Sequence, residues 1–178
     1  LTALCFTAPC AAHSQTIGYQ VAYGISQASP TSLDTESPWS FGDPVVGNGS
    51  NSESQLIVEP AKLSLPQGAV ISSVGLKLTF TGTLPAFNLY RMKTPVNAAT
   101  TNLSWNSAGA GGNNGVIAPS ETNGLILTGT NTSSSPAIPV SPNLADYFTN
   151  RSSDALVMIP AGAQSFAAAQ ITNIQFVI

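Results

Sequence analysis

The sequence contains few of the residues on which most enzyme chemistry depends. It has one histidine, His13, and two cysteines, Cys5 and Cys10, and all three lie near the start of the chain. A histidine-based triad needs an imidazole as general base, and a structural zinc site needs four Cys or His ligands. Both kinds of site are therefore excluded over residues 15–178. We expect a protein that is not an enzyme.

Acidic residues are also few, and they are scattered along the chain. A glycosidase needs two carboxyl groups about 5–10 Å apart, and no pair stands out among Asp34, Glu36, Asp43, Glu53, Glu59, Glu121, Asp146 and Asp154. A polysaccharide-degrading enzyme is therefore the weakest of the functions considered. No cofactor is expected, although Asp34, Glu36 and Asp43 are candidate oxygen ligands for a structural calcium ion.

Basic residues are scarcer still. Five Lys and Arg against eight Asp and Glu give a net charge of −3, which argues against a nucleic-acid partner because nucleic acids are bound by basic patches. Charged residues make up only 7% of the chain while apolar residues make up 43%, a balance typical of a folded protein. A length of 178 residues suits a single domain, which we place at residues 15–178.

Long helices and long apolar runs are both missing. The 15 glycines and 13 prolines are spread throughout, and strong helix formers are sparse. No apolar run is long enough to cross a membrane as a helix. The pattern predicts an all-β fold, an antiparallel β-sandwich of jelly-roll type with one short helix.

The clearest strand pattern covers residues 70–81 (VISSVGLKLTFT). Every second residue is predicted to face the core: Val70, Ser72, Val74, Leu76, Leu78 and Phe80. Further strands are predicted at residues 15–23, 55–58, 87–92, 124–127, 155–159, 165–168 and 171–178. In the last of these, strict alternation sets Ile171 and Phe176 on opposite faces. Residues 26–54 are predicted to be a surface connection or two short edge strands.

One helix start is recognisable in the second half of the chain. Ser141 followed by Pro142 is typical of an N-cap and the first helical position. Leu144, Ala145 and Phe148, with Tyr147, then give one apolar stripe that ends near Asn150. The sequence therefore predicts a short amphipathic helix over residues 142–149.

The first fourteen residues (LTALCFTAPCAAHS) are apolar and rich in small side chains. This composition resembles the second half of a secretory signal peptide, with cleavage before Gln15. The alternative is an ordered N-terminal arm closed by a Cys5–Cys10 disulfide. We expect a secreted or cell-surface protein.

Several segments together resemble one known family. They are "LSLPQGAVISSVGLKLTFTG" from Leu63, "NLYRM" from Asn88, "TTNLSWN" ending at Asn106, and the stretch from Ile138 to Phe148. They are similar to the DNRLRE domain, also called the disaggregatase-related repeat, which is grouped with carbohydrate-binding modules. The resemblance covers roughly residues 43–178, and it implies a β-sandwich that binds polysaccharide. Glu59-Pro60-Ala61 departs from the family's usual Arg-Phe-Asp.

The candidate binding residues are aromatic or lie beside an aromatic residue. Flat aromatic rings can stack on the C–H faces of sugars, which makes the following residues candidates for carbohydrate binding: Trp39, Phe41, Tyr90, Arg91 and Trp105. The leading hypothesis is a non-catalytic module that binds polysaccharide or a cell-surface glycan. The alternative is a structural subunit of an extracellular filament, surface layer or matrix that self-associates through strand pairing.

Overall fold

The computed structural model describes residues 12–27, 29–42, 45–46, 50–51, 53–92, 124–150, 155–161 and 167–178. Within these ranges the chain forms twelve strands and one helix. The strands are β1 (Thr16–Ile17), β2 (Tyr19–Ser26), β3 (Ser29–Asp34), β4 (Trp39–Gly42), β5 (Val45–Val46), β6 (Ser50–Asn51), β7 (Ser54–Pro60), β8 (Gly75–Gly82), β9 (Phe87–Arg91), β10 (Leu125–Gly129), β11 (Leu156–Pro160) and β12 (Ala168–Val177). The helix is α1 (Pro142–Thr149).

Ten of the strands form one antiparallel sheet that curls into two halves. In the first half, which we term the first sheet, β12 pairs with β8 on one side and with β1 and β4 on the other. In the second half, the second sheet, the order is β3-β2-β7-β11-β9-β10. The all-β, antiparallel sandwich with one short helix is thus confirmed.

The two halves join where β4 meets the end of β7. Gly42 pairs with Ser54 at this corner, and its φ of 123° lies in the region that favours glycine. A Cβ at Gly42 would approach the carbonyl oxygen of Ala167 to 2.6 Å. A residue without a side chain is therefore required at the point where the chain passes between the sheets.

The main core fills the space between the two sheets. Aromatic rings from both sheets and from the helix meet there edge to face. The ring centroids of Phe41 and Phe87 are 6.1 Å apart, and those of Phe148 and Phe176 are 5.1 Å apart. The helix closes this core with Leu144, Ala145, Tyr147 and Phe148, all buried. This confirms the amphipathic helix predicted over residues 142–149, including Ser141 as its N-cap.

The strand predicted over residues 70–81 is shorter than expected. Leu76, Leu78 and Phe80 are buried as the alternation indicates, but the strand begins at Gly75. Val70 is 88% exposed, so its placement on the core-facing side was wrong. Residues 71–74 have no ladder partner that would extend the pleat back to Val70, and alternation alone cannot signal where pairing starts.

The last strand contains a β-bulge, so the alternation of inward and outward residues predicted for it was wrong. The pairing of β12 with β8 shifts between Ile171 and Asn173, which inserts one residue into β12. As a result Ile171, Ile174 and Phe176 are all buried in the main core. Strict alternation had set Ile171 and Phe176 on opposite faces, and the extra residue reverses that assignment.

The outer edge of β8 is covered by residues 130–140, which we term the edge segment. This segment runs antiparallel to β8 and forms isolated bridges at Leu78–Ala137 and Leu84–Thr132. The Phe80 amide donates to the hydroxyl of Ser135 at 3.0 Å. The edge segment therefore occupies the backbone groups that a free strand edge would present to another chain.

Within the described residues the only helix is α1, and it is too short to cross a membrane.

Candidate functional site

Trp39 and Phe41 are core residues, and their prediction as sugar platforms was wrong. They lie on β4 with 1% and 0% of their surface exposed. Trp39 contacts Tyr19 edge to face at 5.6 Å, and Phe41 packs in the same way on Phe87. Residues 26–54 look polar, yet β4 alternates Trp39-Ser40-Phe41 and turns both rings into the main core. A buried ring has no face free to stack on a sugar.

Tyr90 and Arg91 do not form a common binding face. They are neighbours on β9, so their side chains leave the strand on opposite sides. Tyr90 packs against the cluster on the outer side of the second sheet. The Arg91 guanidinium lies over the ring of Tyr147, 5.5 Å from its centroid, where a cation is attracted by the π electrons. Both side chains are half-buried.

The calcium prediction is tested only in part. Asp34 and Glu36 are both exposed, and Asp34 Oδ1 accepts a hydrogen bond from the Glu36 amide at 3.0 Å. This local turn occupies one carboxylate oxygen. Across the described ranges no three Asp, Glu, His or Cys residues group in a way that could hold a metal ion. Asp43, Trp105, Cys5 and Cys10 fall outside the described residues.

The first sheet presents an outer side of neutral hydrogen-bonding groups, which we term the polar face. It includes the following outward polar residues of β4, β8 and β12: Ser40, Lys77, Thr79, Thr81, Gln170, Asn173 and Gln175. Lys77 is the one charged residue of this set. Each of these side chains is exposed or half-buried. The apolar core residues of the same strands are buried: Trp39, Phe41, Leu76, Leu78, Phe80, Ala169, Ile171, Ile174 and Phe176.

Strand pairing arranges the polar face in rows. One row crosses three strands as Thr81, Gln170 and Ser40, because Gln170 pairs with both of the others. The next rows pair Thr79 with Asn173 and Lys77 with Gln175. Adjacent strands lie about 4.8 Å apart, so donors and acceptors recur at a regular spacing across the sheet. Such a surface can hydrogen-bond an extended polar chain at several points.

A shallow pocket lies where the paired strands β9 and β10 meet the edge segment, and we term it the seam pocket. Its volume is about 290 Å³. Its lining is Leu84, Phe87, Gly129, Thr130, Thr132, Ser134, Pro136, Ala137, Ile138 and Pro139, none of which is charged. The pocket thus combines apolar groups with three hydroxyls.

The outer side of the second sheet is less accessible to a ligand than the polar face is. Ile25, Ile57, Met92 and Val157 form a second buried cluster there. Tyr23 belongs to this cluster, and burial, followed by the charge of Glu59, raises the pKa of its hydroxyl above the ordinary 10.0. An apolar, buried side offers a ligand no entry.

No protein-family model matches the chain, and no curated protein matches it. The resemblance to the DNRLRE domain therefore stays a prediction. The polar face and the seam pocket, introduced from the geometry of this chain alone, are candidate surfaces.

Sequence reasoning missed both surfaces as sites. The alternation of Lys77, Thr79 and Thr81 is visible in the sequence, but nothing in it marks this polar side as a candidate binding surface. Rows of polar groups arise only from strand order, which pairs Gln170 with Ser40 and Thr81 across the chain. The seam pocket likewise joins Phe87 to Pro136, and no local pattern links those positions.

Proposed function

We propose that this protein is a non-catalytic, secreted or cell-surface module that binds polysaccharide through the polar face. The observation that supports this best is the row Thr81, Gln170 and Ser40, continued by Thr79 with Asn173. Hydroxyl and amide groups are the partners that sugar hydroxyls require, and here they are exposed on three adjacent strands. A polysaccharide lying across these strands would contact several rows at once.

Each contact on the polar face would contribute only a small free energy of binding. The described part of the face contains no aromatic ring, so no stacking adds to the hydrogen bonds. A net hydrogen bond contributes only about 0.5–1.5 kcal/mol. We therefore expect dissociation constants between micromolar and millimolar, equivalent to about 4–8 kcal/mol.

Affinity gel electrophoresis over a panel of soluble polysaccharides tests the proposal. Gln170→Ala should reduce the retardation, because Gln170 occupies the centre of the three-strand row. The matched control is Gln20→Ala, an exposed glutamine on β2 of the second sheet. Equal retardation of both variants and the parent protein would contradict the assignment of the polar face, and no retardation by any polysaccharide would contradict the function.

The alternative of a structural subunit needs an open strand edge for pairing. The edge segment occupies the outer edge of β8 through bonds such as Leu78 to Ala137. On β10, the Ile126 carbonyl accepts a hydrogen bond from the Ser141 hydroxyl at 2.6 Å. These contacts favour the binding module over assembly through either of these edges. Regular polymers seen by electron microscopy, together with no bound polysaccharide, would reverse that choice.

A further inference from the structure

The seam pocket differs from the polar face in shape and in chemistry. Its apolar side is supplied by Leu84, Phe87 and residues 136–139 of the edge segment. Its polar side is supplied by Thr130, Thr132 and Ser134. These three residues follow at every second position, the spacing that places side chains on one side of an extended chain. A compact ligand in the pocket would therefore meet hydroxyls along one edge and carbon atoms along another.

The hydroxyls are available for a ligand. Thr132 Oγ1 accepts a hydrogen bond from the Ser134 amide at 3.0 Å, so its own proton remains free to be donated. Thr130 and Ser134 are exposed, and among the described residues no partner is found for either hydroxyl. Each can both donate and accept.

The apolar side is shaped by a close backbone approach at Gly129 and by the path of the edge segment. A Cβ at Gly129 would overlap the ring of Phe87, so only glycine lets β10 lie this close to that ring. Ile138 projects from the edge segment with 49% of its surface exposed, a large apolar side chain with no core role. The pocket thus has carbon surface to offer that the fold itself does not use.

Size and charge limit the class of ligand. A volume of about 290 Å³ is just below the range for small-molecule sites, about 300–1,000 Å³. None of the lining residues could neutralise a carboxylate, phosphate or ammonium group, and burying an unpaired charge is costly. The ligand should therefore be small, neutral and amphipathic, with several hydroxyls.

We infer that the seam pocket binds one neutral pyranose ring, as a chain end or a side branch of the polysaccharide. A pyranose has hydroxyls around its rim and C–H groups on its faces, which matches the two sides of the pocket. The inference rests on the proposed function for the identity of the ligand as a sugar. The pocket itself is separate from the polar face and can be tested without a polymer.

The experiment is a titration of the ¹⁵N-labelled protein with neutral methyl hexopyranosides, followed by amide chemical shifts. Concentrations up to about 50 mM are needed, since a single ring in a small pocket should bind in the millimolar range. The shifts should be confined to Leu84, Phe87, Gly129 and the amides of the edge segment. Methyl glucuronide should bind at least about tenfold more weakly, because its carboxylate finds no counter-charge.

Two variants locate the hydroxyl contacts. Thr130→Val and Ser134→Ala should each weaken binding about three- to tenfold, the loss of one neutral hydrogen bond. The matched control is Thr35→Val, the same change at an exposed threonine between β3 and β4 that lies in neither surface, and it should leave binding of the methyl glycoside unchanged. Parent-like spectra of the free variants establish that they are folded.

Each outcome separates the two proposals. Shifts on β8 and β12 in place of the edge segment, or none while a polysaccharide still binds, would overturn the pocket and leave the polar face. Shifts at the pocket without retardation by any polysaccharide would overturn the polar face and leave the pocket. Equal affinity for methyl glucuronide and for the neutral glycosides would contradict the inference that the pocket selects a neutral ligand.

Discussion

The outer side of the first sheet is polar, whereas the outer side of the second sheet is apolar and buried. The first sheet carries hydroxyls and amides outward, as in Thr79, Thr81 and Gln170. The second sheet carries apolar side chains on both sides, with Leu56 in the main core and Ile57 in the outer cluster, both fully buried. A sheet that is covered on both sides contributes stability, while a sheet that is open on one side is the place where a ligand can bind.

The same difference can be seen in the sequence of the strands. β8 alternates apolar and polar residues, whereas Leu56-Ile57-Val58 on β7 is a continuous apolar run. Continuous runs are typical of strands that are buried on both faces. The two sheets are therefore expected to have separate roles, one in stability and one in binding.

The largest effect is expected in the core that the two sheets share. Trp39→Ala should lower the free energy of unfolding by about 3–5 kcal/mol, because a large, fully buried side chain leaves a cavity. Chemical denaturation followed by circular dichroism measures the loss. A change below about 1 kcal/mol would mean that Trp39 is not a core residue, and its role as a sugar platform would have to be reconsidered.

The next largest loss of stability is expected in the buried cluster on the outer side of the second sheet. Ile57→Ala should cost about 2–4 kcal/mol if that side of β7 is buried as firmly as the main core. Val70→Ala is the matched control, because Val70 is an exposed aliphatic residue and should cost less than about 0.5 kcal/mol. Similar small losses in both variants would remove the contrast between the two outer sides.

A smaller effect is expected where the helix meets the edge of the second sheet. The Ser141 hydroxyl accepts a hydrogen bond from the Asn143 amide at 3.2 Å and donates one to the carbonyl of Ile126 on β10. Ser141→Ala should therefore cost about 1–2 kcal/mol by thermal or chemical unfolding. Ser72→Ala, an exposed serine outside any strand or helix, serves as control. A loss no larger than that of the control would show that the cap does not stabilise this edge.

Alkaline pH should affect the second sheet through Tyr23. Burial, and then Glu59, raise the pKa of this hydroxyl in the folded protein above the ordinary 10.0. The stabilisation is complete below pH 10 and is lost as the pH rises through the folded pKa, because the unfolded chain ionises first. Unfolding measured from about pH 9 to 12 should therefore depend less on pH in Tyr23→Phe than in the parent protein. Identical slopes would contradict the buried position of Tyr23.

The sequence predicted those parts of the fold that depend on local patterns. Leu76, Leu78 and Phe80 follow the pleat, and Ser141-Pro142 begins the helix, because alternation and capping involve neighbours in the chain. The bulge after Ile171 could not be predicted, since it depends on the strand that pairs with β12.

The site was less predictable than the fold for the same reason. Trp39 lies in a polar stretch whose composition suggests a surface, but β4 pairs with β12 and turns the ring inward. The rings of Trp39 and Phe41 are therefore not available to a ligand. The exposed groups are the threonines and glutamines that strand order brings into rows.

The smallest effect on stability should come from the polar face, and it should coincide with a loss of binding. Thr79→Val keeps the shape and β propensity of the side chain and removes only a hydroxyl from a half-buried, outward position. The free energy of unfolding should stay within about 0.5 kcal/mol of the parent value, while affinity for polysaccharide falls about three- to tenfold. Chemical denaturation and affinity electrophoresis on the same preparation measure both. A variant that loses stability but binds as before would contradict the polar face as the binding surface and would give the outer side of the first sheet the same structural role as that of the second.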